Sequence, residues 1–270
     1  MHITVRNTDP VIYLVFIAIA IMLLASCNLQ PSDYTKVSEE EAVELIKNKQ
    51  IDFIHLTYLD HRGQALSDSL KQLFNRGELI RHFYKSPDGL IDQVRLVEAT
   101  NDNIFYELQV MELQQDPFSN IDYAVINCQQ AEQLLQRAFE RDQGVRQGVY
   151  DDIQLHDKLN RDTVISLLDQ CDWPQTKDEV EAIWYVLQHS DTRKMAYFYP
   201  QLKSLVDQGL LKPNLMAKME DRMLMFNGLP QIYGTQYSGG GTRSLHIVKD
   251  PEHLNDRRLS VGLEPITIEL

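Results

Sequence analysis

Three cysteines are all that 270 residues hold, and that scarcity closes off a class of protein. So few cysteines cannot frame a disulfide-stapled mini-scaffold; Cys128 and Cys171 either pair in an oxidising compartment or stay as buried thiols. Positive charge is short as well: 26 basic residues face 39 acidic ones, and the net charge of −13 argues against nucleic acid or anionic lipid as partners. Catalytic signatures are missing too, with no GxSxG elbow, no GxGxxG turn and no phosphate loop ending in GK[ST]. The run Gly239-Gly240-Gly241 reads as a flexible hairpin tip. His156, His189, His246 and His253, the histidines of the C-terminal half, form neither HxH nor HxxxH, so no metal and no cofactor is expected.

Long apolar runs are also rare, and the one present is informative. Val11 to Ala25 is unbroken by charge. As a helix it would reach only about 22 Å, short of the roughly 30 Å hydrocarbon core of a bilayer. Arg6 precedes it, and Leu24-Ala25-Ser26-Cys27 follows the pattern cut by the bacterial lipoprotein signal peptidase. The expectation is a signal peptide over 1–26 and a mature chain beginning at Cys27, which carries acyl chains such as palmitate and is the point of membrane contact. An uncleaved signal anchor and an ordinary secretory signal are the alternatives. Asn28, where an aspartate would favour inner-membrane retention, points to the outer membrane facing the periplasm. Cleavage would remove Arg6 and Asp9 and leave the charge at −13.

A hydrophobic content of 43% is enough to bury real cores. After a tether over 27–36, residues 37–127 read as a small α+β module with an antiparallel sheet. Ser38 with Glu41 makes a capping box, and strands are expected at Phe53 to Leu59, Leu79 to Lys85, Leu90 to Ala99 and Ile104 to Leu113. Ser86-Pro87-Asp88-Gly89 joins the second to the third, and Asn101-Asp102-Asn103 the third to the fourth. Between the first two, the stripe Leu66, Leu70, Leu73, Phe74 is helical and stops at Gly77. Residues 128–270 read as a mainly α-helical domain with one β-hairpin. Its apolar stripes are Ala131, Leu134, Leu135, Ala138, Phe139; Val164, Leu167, Leu168, Cys171; Val180, Ile183, Trp184, Leu187; Met195 to Val206; and Leu215, Met216, Met219, Met223. Gln231 to Tyr237 pairs with Ser244 to Val248, and Asp250 with Pro251 opens a last helix.

Polar residues interrupt those stripes at inward positions. Continuing from Ala138 and Phe139, the next are Asp142 and Arg146; Gln188 follows Trp184 by four, and Arg222 follows Met219 by three. Burying such groups without partners costs several kcal/mol, so they are expected to meet one another, joined by His189, Asp191 and Asp221, or to line a wet cavity. An internal ion-pair network accounts for them without any function. In Gly234-Thr235-Gln236-Tyr237 the glycine permits close approach, either of a ligand hydrogen-bonded by Thr235 and Gln236 or of a neighbouring Trp or Tyr. Arg257 is expected to complement its helix dipole and pair with acids, while Arg258 either does the same or clamps an anion.

Taken in order, Asp142-Gln143 with Arg146, Trp173-Pro174, Gln188-His189-Ser190-Asp191, Asp221-Arg222, the run Gly228 to Gln236 that includes Gln231, Tyr233 and Thr235, and Arg258 with Gly262-Leu263 resemble a family of uncharacterised bacterial domains. The resemblance covers roughly residues 130–266. It implies a boundary near residue 130 and a shared polar site, and no reaction or cofactor. Two functions are therefore expected in competition. One is an envelope lipoprotein whose helical domain holds a charge-paired site for a small polar or peptide-like ligand. The other is a periplasmic hydrolase-like enzyme with His189, the carboxylates Asp142, Asp191 and Asp221 as acid or base, and Arg146, Arg222 and Arg258 stabilising charge.

Overall fold

A computed structural model describes residues 33–238 and 244–267. The apolar run, Cys27, most of the expected tether and the triple-glycine tip lie outside the described residues. Among those described, no helix is long and apolar enough to cross a membrane.

The expected class is found: an α+β part with a small sheet, then helices and a short hairpin. Four strands, β1 (Thr35–Lys36), β2 (Thr57–Leu59), β3 (Leu79–Lys85) and β4 (Ile91–Glu98), lie in the order β1-β3-β4-β2. β1 and β4 are antiparallel to β3, but β2 runs parallel to β4 at the sheet's edge, so the sheet is mixed and not antiparallel as expected. β1 uses the last two residues of the expected tether. Ser38 caps α1 (Glu39–Lys47) by accepting the Glu41 amide at 3.1 Å, but the Glu41 carboxylate turns away to Lys85, so only half of the capping box forms. α2 (Asp68–Asn75) ends at Gly77 as its stripe predicts, with φ +73 and a Leu229 methyl 2.5 Å from where a Cβ would stand.

The run expected as a fourth strand is instead helix α3 (Ile104–Glu112). Thr100 and Asn103 exchange side-chain to backbone hydrogen bonds of 2.7 and 3.2 Å that turn the chain into it. α3 packs on α1 and β3, and on α7 (Thr192–Asp207), so Ile104 through Val110 are all buried and no polar face is left to show a helical period. Its Glu107 forms a buried ion pair with Arg81 of β3, accepting the Arg81 Nε at 2.8 Å and backbone N–H at 2.9 Å.

The remaining helices follow the stripes: α4 (Ala131–Arg146), α5 (Ile153–Gln170), α6 (Lys177–Gln188) and α8 (Pro213–Phe226). A disulfide joins Cys128, just before α4, to Cys171 at the end of α5. The hairpin is shorter than expected, with Tyr237–Ser238 (β5) opposite Ser244–Leu245 (β6) and an isolated bridge from Gln231 to Val248. Pro251 starts a 3-10 turn that leads into α9 (Leu254–Ser260). One apolar core runs from Val37 to Ile232 through both parts, with the Phe105 and Tyr199 rings stacked 5.2 Å apart where α3 meets α7.

Candidate functional site

On α4 the inward positions Leu135 and Ala138 lead to Asp142, which is 1% exposed. His189, at the end of α6, brings Nδ1 to 2.8 Å from Asp142 Oδ1, and Gln143 donates to Oδ2 at 2.9 Å. Arg146, one turn beyond Asp142, grips Asp157 of α5 with both terminal nitrogens at 2.9 and 3.2 Å and approaches Asp142 at 3.3 Å. Its Nε donates to His189 Nε2 at 3.2 Å, and a guanidinium can only donate. Nε2 is therefore the acceptor, the ring proton sits on Nδ1, and that proton points at Asp142. The Gln188 amide also lies 3.2 Å from Nε2.

Arg222 of α8 joins this group through the Gln188 carbonyl, to which it donates at 2.8 Å at the end of α6. Its Nε reaches Gln236 Oε1 at 3.3 Å. Both partners are neutral. Burial lowers the pKa of Arg222, the Arg146 charge lowers it further, and Asp142 and Asp157 pull it back up from a distance.

The second group of expected residues is a loop anchor. Asp221, fully buried, accepts the backbone N–H groups of Ile232, Tyr233 and Thr235 at 2.7–2.9 Å and the Thr235 hydroxyl at 2.8 Å. Burial raises its pKa and those donors lower it. The Gln231 side chain holds the Gln236 backbone, donating to its carbonyl at 3.0 Å and accepting its N–H at 2.9 Å, and also donates to the His246 carbonyl at 2.8 Å. Arg258 donates to the carbonyls of Tyr233, Gly234 and Glu264. Arg257 pairs with the Asp250 carboxylate at 3.4 Å, as expected, and also donates to the Ile232 and Asp250 carbonyls. At Gly234 the close neighbour is Leu254, 3.2 Å from an added Cβ, rather than a Trp or Tyr. Thr235 and Gln236 thus spend their polar atoms inside the protein.

Asp142, Gln143, Arg146, Gln188, His189, Arg222 and Gln236 form one connected chain of contacts that leads into the Asp221 loop. Asp191 stands apart from it. It caps α7 and holds Lys194, whose side chain is fully buried, at 2.6 Å. Three inward charged residues, of which only Asp157 belongs to this group, escaped the sequence reading. Asp157 lies on α5 before its apolar stripe begins at Val164; Lys194 is four residues before Phe198, hence inward; and Glu220 is four after Met216, the register that also carries Met219 to Arg222. On α5, Asn160 follows Asp157 by three on the same face and is 1% exposed, with neither amide atom partnered among the described residues.

The chain matches no protein-family model, no curated protein and no solved structure. Its function is therefore argued from its own geometry.

Proposed function

We propose that this chain is an envelope lipoprotein, tethered by acyl chains on Cys27, whose helical part binds a small polar or peptide-like ligand bearing a carboxylate. Arg222 carries the reading. It is partly buried beside a second guanidinium, and among the described residues its hydrogen bonds go to neutral acceptors alone, with no carboxylate at ion-pair distance. A desolvated guanidinium without a counter-charge is poised for a visiting anion, and its planar fork suits a carboxylate. The unpartnered Asn160 amide, on the same face as Asp157, supports a ligand in this neighbourhood. The Cys128–Cys171 bridge supports an oxidising compartment.

The hydrolase reading has the Asp142–His189 hydrogen bond in its favour, because an acid on Nδ1 orients a general base. Against it, Nε2 faces Arg146 and Gln188, and among the described residues no hydroxyl or thiol bonds to the ring. Thermal shift on the detergent-solubilised full chain separates the readings. N-acetylated dipeptides with a free carboxylate should raise Tm in the wild type and not in Arg222→Met, while their C-amidated forms do nothing. Equal shifts in both proteins, or none, would overturn the binding reading. Peptide or ester turnover lost in His189→Ala would instead establish the enzyme. For the tether, Cys27→Ala should abolish palmitate labelling and membrane partition; unchanged partition without label would sink it.

A further inference from the structure

Away from the Arg222 group, a cavity of about 710 Å³ opens between α1, α3 and α7, with Glu220 of α8, Tyr233 and α9 closing its far side. That volume suits a small organic molecule. Its charge is lopsided. Six acidic residues line it against three basic ones, and the basic ones are already engaged: Lys47 with Glu44 at 2.8 Å, Lys203 with Glu220 at 3.7 Å, and Arg257 with Asp250 at 3.4 Å. Of the acids, Glu40, Asp102 and Asp207 have no ion pair among the described residues. Glu220 is only 4% exposed and accepts the Tyr199 hydroxyl at 2.9 Å.

Hydrogen-bonding capacity is lopsided in the same sense. Gln109, on the wall and 5% exposed, spends its amide N–H on the Phe105 carbonyl at 3.1 Å and leaves Oε1 without a donor among the described residues. Asn101 Oδ1, also on the wall, is likewise buried and unpartnered among the described residues. Exchanging the Gln109 oxygen and nitrogen would set oxygen against the Phe105 carbonyl, so the vacant atom is an acceptor. Orphaned acceptors and surplus carboxylates call for a ligand that donates and is positively charged, and the Phe105, Tyr106, Tyr199 and Tyr233 rings supply apolar and cation–π surface for its carbon chain.

We propose that this cavity binds an organic polyamine, one ammonium reaching Glu220 and the Gln109 acceptor and another the exposed acids Glu40, Asp102 and Asp207. The site is independent of the carboxylate site at Arg222, and its ligand has the opposite charge.

Titration calorimetry of the detergent-solubilised full chain with spermidine tests it. One saturable site is expected, weakened at least tenfold by Glu220→Gln and by Gln109→Met and unchanged by Glu252→Gln, an exposed acid that does not line the cavity. Gln109→Met should also raise Tm, because it removes an unsatisfied buried oxygen, an outcome that a merely structural glutamine would not give. Adipate, of similar length and opposite charge, should not compete. Absence of saturable heat, or multi-site binding indifferent to both cavity variants, would overturn the proposal. If Glu220→Gln failed to fold, Gln109→Met alone would decide.

Discussion

Four donors converge on the Asp221 carboxylate, three of them backbone N–H groups of a loop that has no ladder of its own. Asp221→Asn replaces one acceptor oxygen with an amide that faces those donors, so the loop loses bonds and gains a repulsion. The expected cost is about 3–5 kcal/mol, read by urea unfolding, against less than about 1 kcal/mol for the exposed Asp256→Asn. Glu220, just before it, has its pKa raised by burial in the same sense but should respond differently to the amide substitution. Burial holds its pKa above the usual 4.5 although Lys203 and the Tyr199 hydroxyl oppose it, so the native state holds the proton more tightly than the unfolded chain does. Its contribution to stability is full below pH 4.5 and is lost as pH rises through the raised native value. Glu220→Gln, neutral at every pH, should match the wild type in acid and become the more stable protein towards pH 8, measured by urea unfolding across that range. The convergence of Asp142, Gln188 and Arg222 was legible because each breaks an apolar stripe in register. What each side chain binds was not, since partners such as Asp157 come from helices whose relative placement no local pattern encodes.

α3 shows what happens when an element has no exposed face. Seven consecutive buried residues erase the helical period, and the run Ile104 to Val110 reads as a strand because it is short, apolar and aromatic. The same burial explains why Glu107 and Gln109, polar residues in that run, both sit inside, the first paired and the second not. Helices α4, α6, α7 and α8 were legible for the contrary reason: one flank of each meets water, so the apolar stripe stands out. The Arg81–Glu107 pair locks α3 to β3. Glu107→Ala would strand a buried guanidinium and should cost about 3–5 kcal/mol, whereas the double change Arg81→Met with Glu107→Leu should be nearly neutral or stabilising. A double-mutant cycle by chemical denaturation reads the difference. Equal losses in the single and double variants would mean that α3 is held by packing alone.

At the scale of the whole molecule the question is whether the α+β part and the helices after it unfold separately. The apolar core passes from one to the other through Phe105 and Tyr199, and Gly77 packs against Leu229 across the same junction. The segment that connects the parts is itself pinned to α5, with the Ala124 amide donating to Ser166 Oγ at 3.0 Å and Gln170 donating to the Ala124 carbonyl at 2.7 Å. The disulfide fastens the end of that segment, closing a loop of 43 residues that spans α4 and α5. Cross-linking a loop of that length removes conformational freedom from the unfolded chain worth about 4 kcal/mol in the chain-entropy account. The paired change Cys128→Ser and Cys171→Ser should therefore lower Tm by about 8–16 °C, since each kcal/mol shifts a chain of this size by about 2–4 °C. The bridge acts on the unfolded ensemble while the shared core couples the two parts in the native state, so wild type and variant should both melt in one calorimetric transition. A second transition in the variant alone would mean that the bridge, and not the core, makes the chain cooperative.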